Sequence, residues 1–177
     1  DLWAYYNNAD EVELFVNGES LGKSSKEPGR LHALWEGVEY VAGEITAVAY
    51  SDGKEVMRHT RKSAGDPAEI RLTADREILK ADGYDLSFVT VDCYDKEGNF
   101  VPNAMNQLYF EVVGAGELAG VDNGNAAGME SLKGSSMKLF NGKALAIVRT
   151  LRGVKGAITL KVTGEGVESA EITLSAK

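Results

Sequence analysis

At 177 residues, 44% of them hydrophobic, the chain is long enough for one large domain or two of ordinary β-sandwich size, with apolar side chains to fill a core. A formal net charge of −8 argues against a nucleic-acid or anionic-membrane partner, because each phosphate contact would need a Lys or Arg. The lone Cys93 excludes an internal disulfide and any cysteine-based zinc site. It leaves the compartment open, with a periplasmic or extracellular setting favoured over a cytoplasmic one. No apolar run approaches bilayer length, and the chain opens at Asp1 straight into Leu2-Trp3-Ala4-Tyr5-Tyr6, so it reads as a piece of something longer.

The first strand signal alternates, with Val12, Leu14 and Val16 to one face and Glu11 and Glu13 to the other. Asn17-Gly18 accepts the positive φ of a type I′ turn and predicts that residues 19–23 return antiparallel as a hairpin. A Pro28-Gly29 loop leads to strands at 31–35 and 44–50, and Ser51-Asp52-Gly53 turns the chain into a strand at 54–60. Pro67 holds Asp66 extended within a stretch of linker composition, Ser63 to Pro67. The expected domains are therefore 1–64 and 67–177.

In the second segment Ile70 and Leu72 alternate with Glu69, Arg71 and Thr73, and residues 75–80 could make one helical turn. Strands are expected at 86–94, with Cys93 on the same buried face as Val89 and Val91, and at 107–113. Next comes Gly114-Ala115-Gly116-Glu117-Leu118-Ala119-Gly120-Val121-Asp122-Asn123-Gly124-Asn125. Its glycine spacing, G-x-G-x-x-x-G, is one residue longer than a dinucleotide fingerprint, and the Asp-Asn-Gly-Asn that follows disfavours the helix an anion would need. The better reading is glycines that let a strand bend between two packed sheets. Asn141-Gly142 is a second hairpin signal before a strand at 144–149, and alternation at 158–163 and 172–174 closes the chain. Frequent short strands without an amphipathic helix indicate an all-β chain of antiparallel sandwiches.

Chemistry finds few footholds. The only histidines, His32 and His59, fall within strands, and Glu36 and Glu39, beside Trp35 and Tyr40, read as solvated strand ends rather than a glycosidase carboxyl pair. Two oxygen-rich turns, Asp122 to Asn125 and Asp92, Asp95, Glu97 and Asn99, offer calcium-type ligands without an EF-hand pattern, so local capping explains them better. Trp3, Tyr5, Tyr6 and Trp35 are expected to be buried against a neighbouring domain or the core.

Taken together, Asn8 through Gly22, Trp35 through Tyr40 and Gly43 through Tyr50 closely resemble the immunoglobulin-like module that follows the catalytic barrel in β-galactosidases of glycoside hydrolase family 2. Pro67 through Asp75, Ala81-Asp82-Gly83, Asp95 through Asn99, Gly114-Ala115-Gly116, Asn123-Gly124-Asn125 and Phe140 through Ala144 are similar to that family's C-terminal domain. The resemblance implies two consecutive immunoglobulin-like sandwiches and a bacterial parent that is a retaining glycosidase acting on β-galactosides or related sugars. Its two catalytic glutamates would lie in a barrel upstream of Asp1. No position here matches a catalytic motif, and no cofactor or metal is expected. The implied partners are the barrel and other domains of the parent or another subunit. A carbohydrate-binding module, with Trp35 and Tyr84 as the sugar contacts, is the competing reading, and an adhesin-like immunoglobulin-like repeat is a third.

Overall fold

The computed structural model describes residues 1–177, all strand and loop with no helix, and divides into two compact units, Asp1–Ser63 and Ala64–Lys177.

In the first unit, β1 (Leu2–Tyr5), β2 (Glu11–Val16), β3 (Glu19–Ser24), β4 (His32–Trp35), β5 (Glu44–Ser51) and β6 (Lys54–Lys62) form two sheets. Antiparallel β1 and β4 make the smaller; the larger runs β3-β2-β5-β6. Alternation decides what is buried. Val12 and Leu14 from β2 and Ala49 from β5 meet Ala33 and Trp35 from β4, with Leu2 and Ala4 of β1 packed against them. Asn17 (φ 51°) and Gly18 (φ 83°) close the β2–β3 hairpin, and Asp52 (φ 50°) and Gly53 (φ 72°) repeat the device between β5 and β6. The polar face of the larger sheet is stitched across strands: Glu13 accepts hydrogen bonds from Ser20 Oγ at 2.6 Å and Tyr50 OH at 3.1 Å.

The second unit is a complete immunoglobulin-like sandwich. One sheet runs β11 (Gly116–Asp122), β13 (Lys143–Thr150), β9 (Leu86–Tyr94), β7 (Glu69–Ala74). The other runs β15 (Val167–Ala176), β14 (Gly156–Gly164), β10 (Gln107–Gly114), β12 (Ser136–Lys138). The two layers are joined along one border: β7 meets β15 through a parallel pair, Glu69 with Glu168, while pairing antiparallel with β9, and β8 (Ile78–Leu79) pairs parallel with the end of β15, so the segment β7–β8 bridges the layers. These are the layers expected of an immunoglobulin-like fold. Val89, Val91 and Cys93 of β9 and Ala144, Ala146 and Val148 of β13 bury against Leu108 and Phe110 of β10 and Ile158, Leu160 and Val162 of β14. Cys93 is thus a core residue, and burial pushes its thiol pKa up.

The glycine-rich stretch makes the crossing between sheets. Gly114 is the last residue of β10, paired with Ile158, and Gly116 opens β11, paired with Thr150. Between them the Ala115 N–H donates to Ala157 O and its carbonyl accepts from Leu151 N, both at 2.9 Å, so one residue is bonded toward both layers. A side chain on either flank would collide. A Cβ on Gly114 (φ +97°) would lie 2.2 Å from Ala157 O, and one on Gly116 would lie 2.8 Å from Ile158 Cγ2 and 2.9 Å from Arg149 O.

Two expectations need correction. Residues 75–80 hold no helical turn. Asp75 Oδ1 accepts the Phe88 N–H at 2.8 Å, Leu79 goes into the core at 2% exposed, and Ser175 N and Lys177 N donate to Glu77 O and Leu79 O, a strand pattern. Asn141-Gly142 does turn with positive φ, but it closes only a Phe140–Lys143 bridge, because β12 and β13 belong to opposite sheets and cannot form a ladder.

Gly114→Ala is expected to cost about 1–3 kcal/mol from backbone strain alone, plus the collision with Ala157 O. Gly124→Asn, at φ +74° in open space, is expected to cost about 1 kcal/mol or less. Urea unfolding followed by circular dichroism checks the contrast, and equal losses would remove the close approach as the cause.

Candidate functional site

A concavity of the first unit sits where the β2–β3 hairpin meets the loop after β4. It encloses about 570 Å³, with Leu21, Trp35 and Val38 among its apolar lining and Glu19, Glu36 and Glu39 as its carboxylates. The loop is held by Asn17, whose Oδ1 accepts the Glu44 N–H at 2.7 Å and whose Nδ2 donates to Ala42 O at 3.2 Å. Gly43 (φ +136°) permits that clasp, since a Cβ there would lie 1.9 Å from Asn17 Oδ1. All three glutamates are exposed to water.

Trp35 is only 8% exposed and packs into the core, while its Nε1 donates to Gly22 O at 3.1 Å and ties β4 to β3. Little of the ring reaches the cleft, so it has no open face on which a sugar could stack. Tyr84 belongs to the second unit and is 71% exposed. Its turn is built by Asp82 Oδ1, which accepts the N–H groups of Tyr84 and Asp85 at 2.8 and 2.9 Å and is thereby held below the usual carboxylate pKa. Arg152 stands 5.0 Å from the ring centroid and donates to the Tyr84 hydroxyl at 2.6 Å. Arginine over an open tyrosine ring can both stack with and hydrogen-bond a polar ligand.

Of the aromatic residues at the start of the chain, Tyr6 packs against the core, whereas Trp3 and Tyr5 lie on the outward face of β1. Trp3 (59% exposed) stacks on His32 at 4.6 Å and 13°, and Tyr5 (67%) leans on the same imidazole at 5.2 Å. The strand period of two was the available signal, since Leu2 and Ala4 turn inward and leave Trp3 and Tyr5 outside.

The oxygen-rich turns spend their side chains on local backbone. Asp122 Oδ1 accepts the N–H groups of Asn123 and Gly124 at 2.6 and 2.9 Å, and Asn123 Oδ1 accepts that of Asn125 at 3.0 Å. Asp95, 4% exposed, is more heavily engaged. Its Oδ2 accepts from Gly65 N at 2.7 Å and Asn99 Nδ2 at 3.0 Å; its Oδ1 accepts from Glu97 N at 2.9 Å and Asn99 N at 2.8 Å. These donors, the Gly65 amide foremost, lower its pKa to about 2. Asp95 therefore fastens the entry of the second unit to the turn after β9.

Because the folded-state pKa of Asp95 lies below that of a free Asp, about 3.9, its contribution is complete above pH ~4 and fades as acid takes the solution toward pH ~2. Asp95→Asn is expected to lower the melting temperature at pH 7, with the gap to the unmodified chain narrowing across that acid window. A gap of constant size would assign the loss to shape, not charge.

Comparison with known proteins places this fold. The model of glycoside hydrolase family 2 C-terminal domain 5 matches residues 70–173, and that of a domain of unknown function, DUF4982, matches residues 1–57. A β-galactosidase of Bacteroides ovatus is 47% identical over the whole chain, which covers 21% of that protein. A β-glucuronidase of Formosa agariphila is 24% identical over 95% of the chain and 17% of its own length. The crystal structure of a glycosyl hydrolase family 2 member from Bacteroides cellulosilyticus superposes with a TM-score of 0.89 at 37% identity, over 96% of this chain and 22% of that one. The chain thus spans about a fifth of the length of the relatives it matches. With residues 70–173 matched by the family's C-terminal domain and the whole chain aligned at 47% identity to a β-galactosidase, the chain belongs to glycoside hydrolase family 2 as a C-terminal portion.

Proposed function

We propose that these residues are the non-catalytic C-terminal part of a β-galactosidase-like glycoside hydrolase, two consecutive immunoglobulin-like domains that pack on the rest of the enzyme or on another subunit. The observation that carries the reading is the match to a C-terminal family domain over 70–173 in a chain that covers a fifth of its relatives. Electrostatics support it. The carboxyl groups displaced from their ordinary range, Glu13, Glu55, Asp82, Asp85 and Asp95, are all displaced downward, by hydrogen bonds from neighbouring side chains or backbone. A glycosidase acid needs the opposite displacement. Bond cleavage then belongs to the remainder of the parent, whose substrate is a β-galactoside or a related glycoside.

The parent is expected to hydrolyse a chromogenic β-galactoside or β-glucuronide, and the 177-residue chain, purified free of contaminating enzyme, to show no turnover. Hydrolysis by the isolated chain would overturn the reading.

A second reading, sugar binding by the second unit, is favoured by the exposed Tyr84 ring with Arg152 beside it. Tyr84→Ala is the clean variant here, because Trp35→Ala would remove a core side chain of the first unit and cost about 3–5 kcal/mol by itself. Calorimetric titration with galacto-oligosaccharides and plant polysaccharides is expected to give no saturable heat if the part is purely structural. Saturable binding abolished by Tyr84→Ala would establish the module.

A further inference from the structure

The first unit is an incompletely covered sandwich. All nine residues of β6 are exposed, although the strand lies beside β5 in a four-stranded sheet whose two central strands, β2 and β5, carry the core. Register explains which face is bare. Met57, His59 and Arg61 stand opposite Ala49, Ala47 and Ile45 of β5. Those three partners belong to the core, so Met57, His59 and Arg61 share its side of the sheet. Met57 is nonetheless 65% exposed. The cause is width, since only β1 and β4 lie over four strands.

The position of that narrow layer can be read from its bonds. Ser24 Oγ donates to Leu34 O at 3.3 Å and Trp35 Nε1 to Gly22 O at 3.1 Å, which sets β4 beside β3 and leaves β1 toward β5 and β6. The edge of β1 away from β4 is therefore free, and the space it borders lies over β6. The second unit fills the corresponding place. There β7 pairs antiparallel with the neighbour of β13, namely β9, and its continuation β8 reaches the final strand β15. Matching β1 and β4 to β9 and β13, and β5 and β6 to β14 and β15, leaves the first unit without a counterpart of β7–β8.

We propose that an extended segment of the parent polypeptide, lying before β1 in sequence as β7 lies before β9, pairs with the free edge of β1 and covers Met57, His59 and Arg61. The inference rests on reading these residues as part of a longer glycosidase, and about four-fifths of each matched relative does lie outside the aligned region. Its chemistry follows from what it covers. Met57 to Arg61 spans about 13 Å at strand rise, so at least about five residues are needed. Alternate side chains should be apolar to meet Met57 and the stem of Arg61, and the backbone supplies the ladder to β1. Completing the sheet also removes an exposed strand edge, which a soluble protein otherwise has to protect.

The test compares the 177-residue chain with a chain extended by the parent residues that precede Asp1, each carrying Met57→Cys. Exposure of Met57 makes the substitution tolerable, and the native thiol, Cys93, is fully buried and does not compete. Modification by a water-soluble maleimide is expected to slow at least about tenfold in the extended chain. Arg58→Cys, on the opposite face of the same strand, should react equally in both. Equal rates at Met57→Cys would overturn the proposal, as would protection that arises in the 177-residue chain only as its concentration rises, which would make the occupant a second copy. An upstream region without a catalytic barrel would sink the glycosidase reading, whereas a barrel present without protection at position 57 would sink this inference alone.

Discussion

A β-sheet with an apolar face is stable in water only when something covers that face, and both units are arranged by this requirement. In the second unit every inward-pointing row meets a facing row. Val89, Val91 and Cys93 are wholly buried, as are Ile158, Leu160 and Val162 on the opposite layer. The first unit meets the requirement over β2 and β5 and fails it at β6. The difference lies in how many strands each layer holds and in the inward row of β6 itself, where Met57, His59 and Arg61 stand in place of an unbroken apolar set.

Covering both faces obliges the chain to change layers, and the sequence spends its special residues on those changes. Ala115 bonds toward both sheets because Gly114 and Gly116 let β10, β11 and β14 approach more closely than side chains would allow. The segment β7–β8 makes a second change, with Asp75 bonded to Phe88 N where it leaves the first layer. Asp95 gathers Gly65, Glu97 and Asn99 around one carboxylate. These are devices for holding a rigid shape. Hydrogen bonds of this kind hold the Asp85 and Asp95 carboxyl groups below the usual carboxylate pKa.

Much of this was legible in the residues because it depends on period two and on positive φ. Alternation marked β2, β9, β13 and β14, and Asn17-Gly18 gave its hairpin. Cys93 could be assigned to the core from its spacing with Val89 and Val91. The glycines at 114 and 116 could be read as a bend between sheets, although nothing local shows that Ala157 O is the atom a Cβ would strike. What escaped was non-local. Strand β8 is two residues long and exists through its pairing with β15, so its local signal resembled a helical turn. Asn141-Gly142 has hairpin chemistry, but which sheet each flanking strand joins is decided by distant partners. On the candidate site, Trp35 and Tyr84 are equally plausible aromatics in sequence. Only packing makes one a core residue and leaves the other in water. Trp3 and Tyr5 stand on the outer face of β1 because the inward Leu2 and Ala4 take its core positions, which the period of two already marks.

The dependence of order on coverage can be measured directly by native-state hydrogen exchange of the 177-residue chain, comparing two strands bonded to the same neighbour. Amides of β6 that donate to β5 are expected to exchange at least about tenfold faster than amides of β2 that donate to β5, because both strands bond to β5 but only β2 is roofed. Equal protection of β2 and β6 would contradict the account, since it would mean that backbone pairing alone orders this sheet and that the bare face of β6 has no energetic meaning.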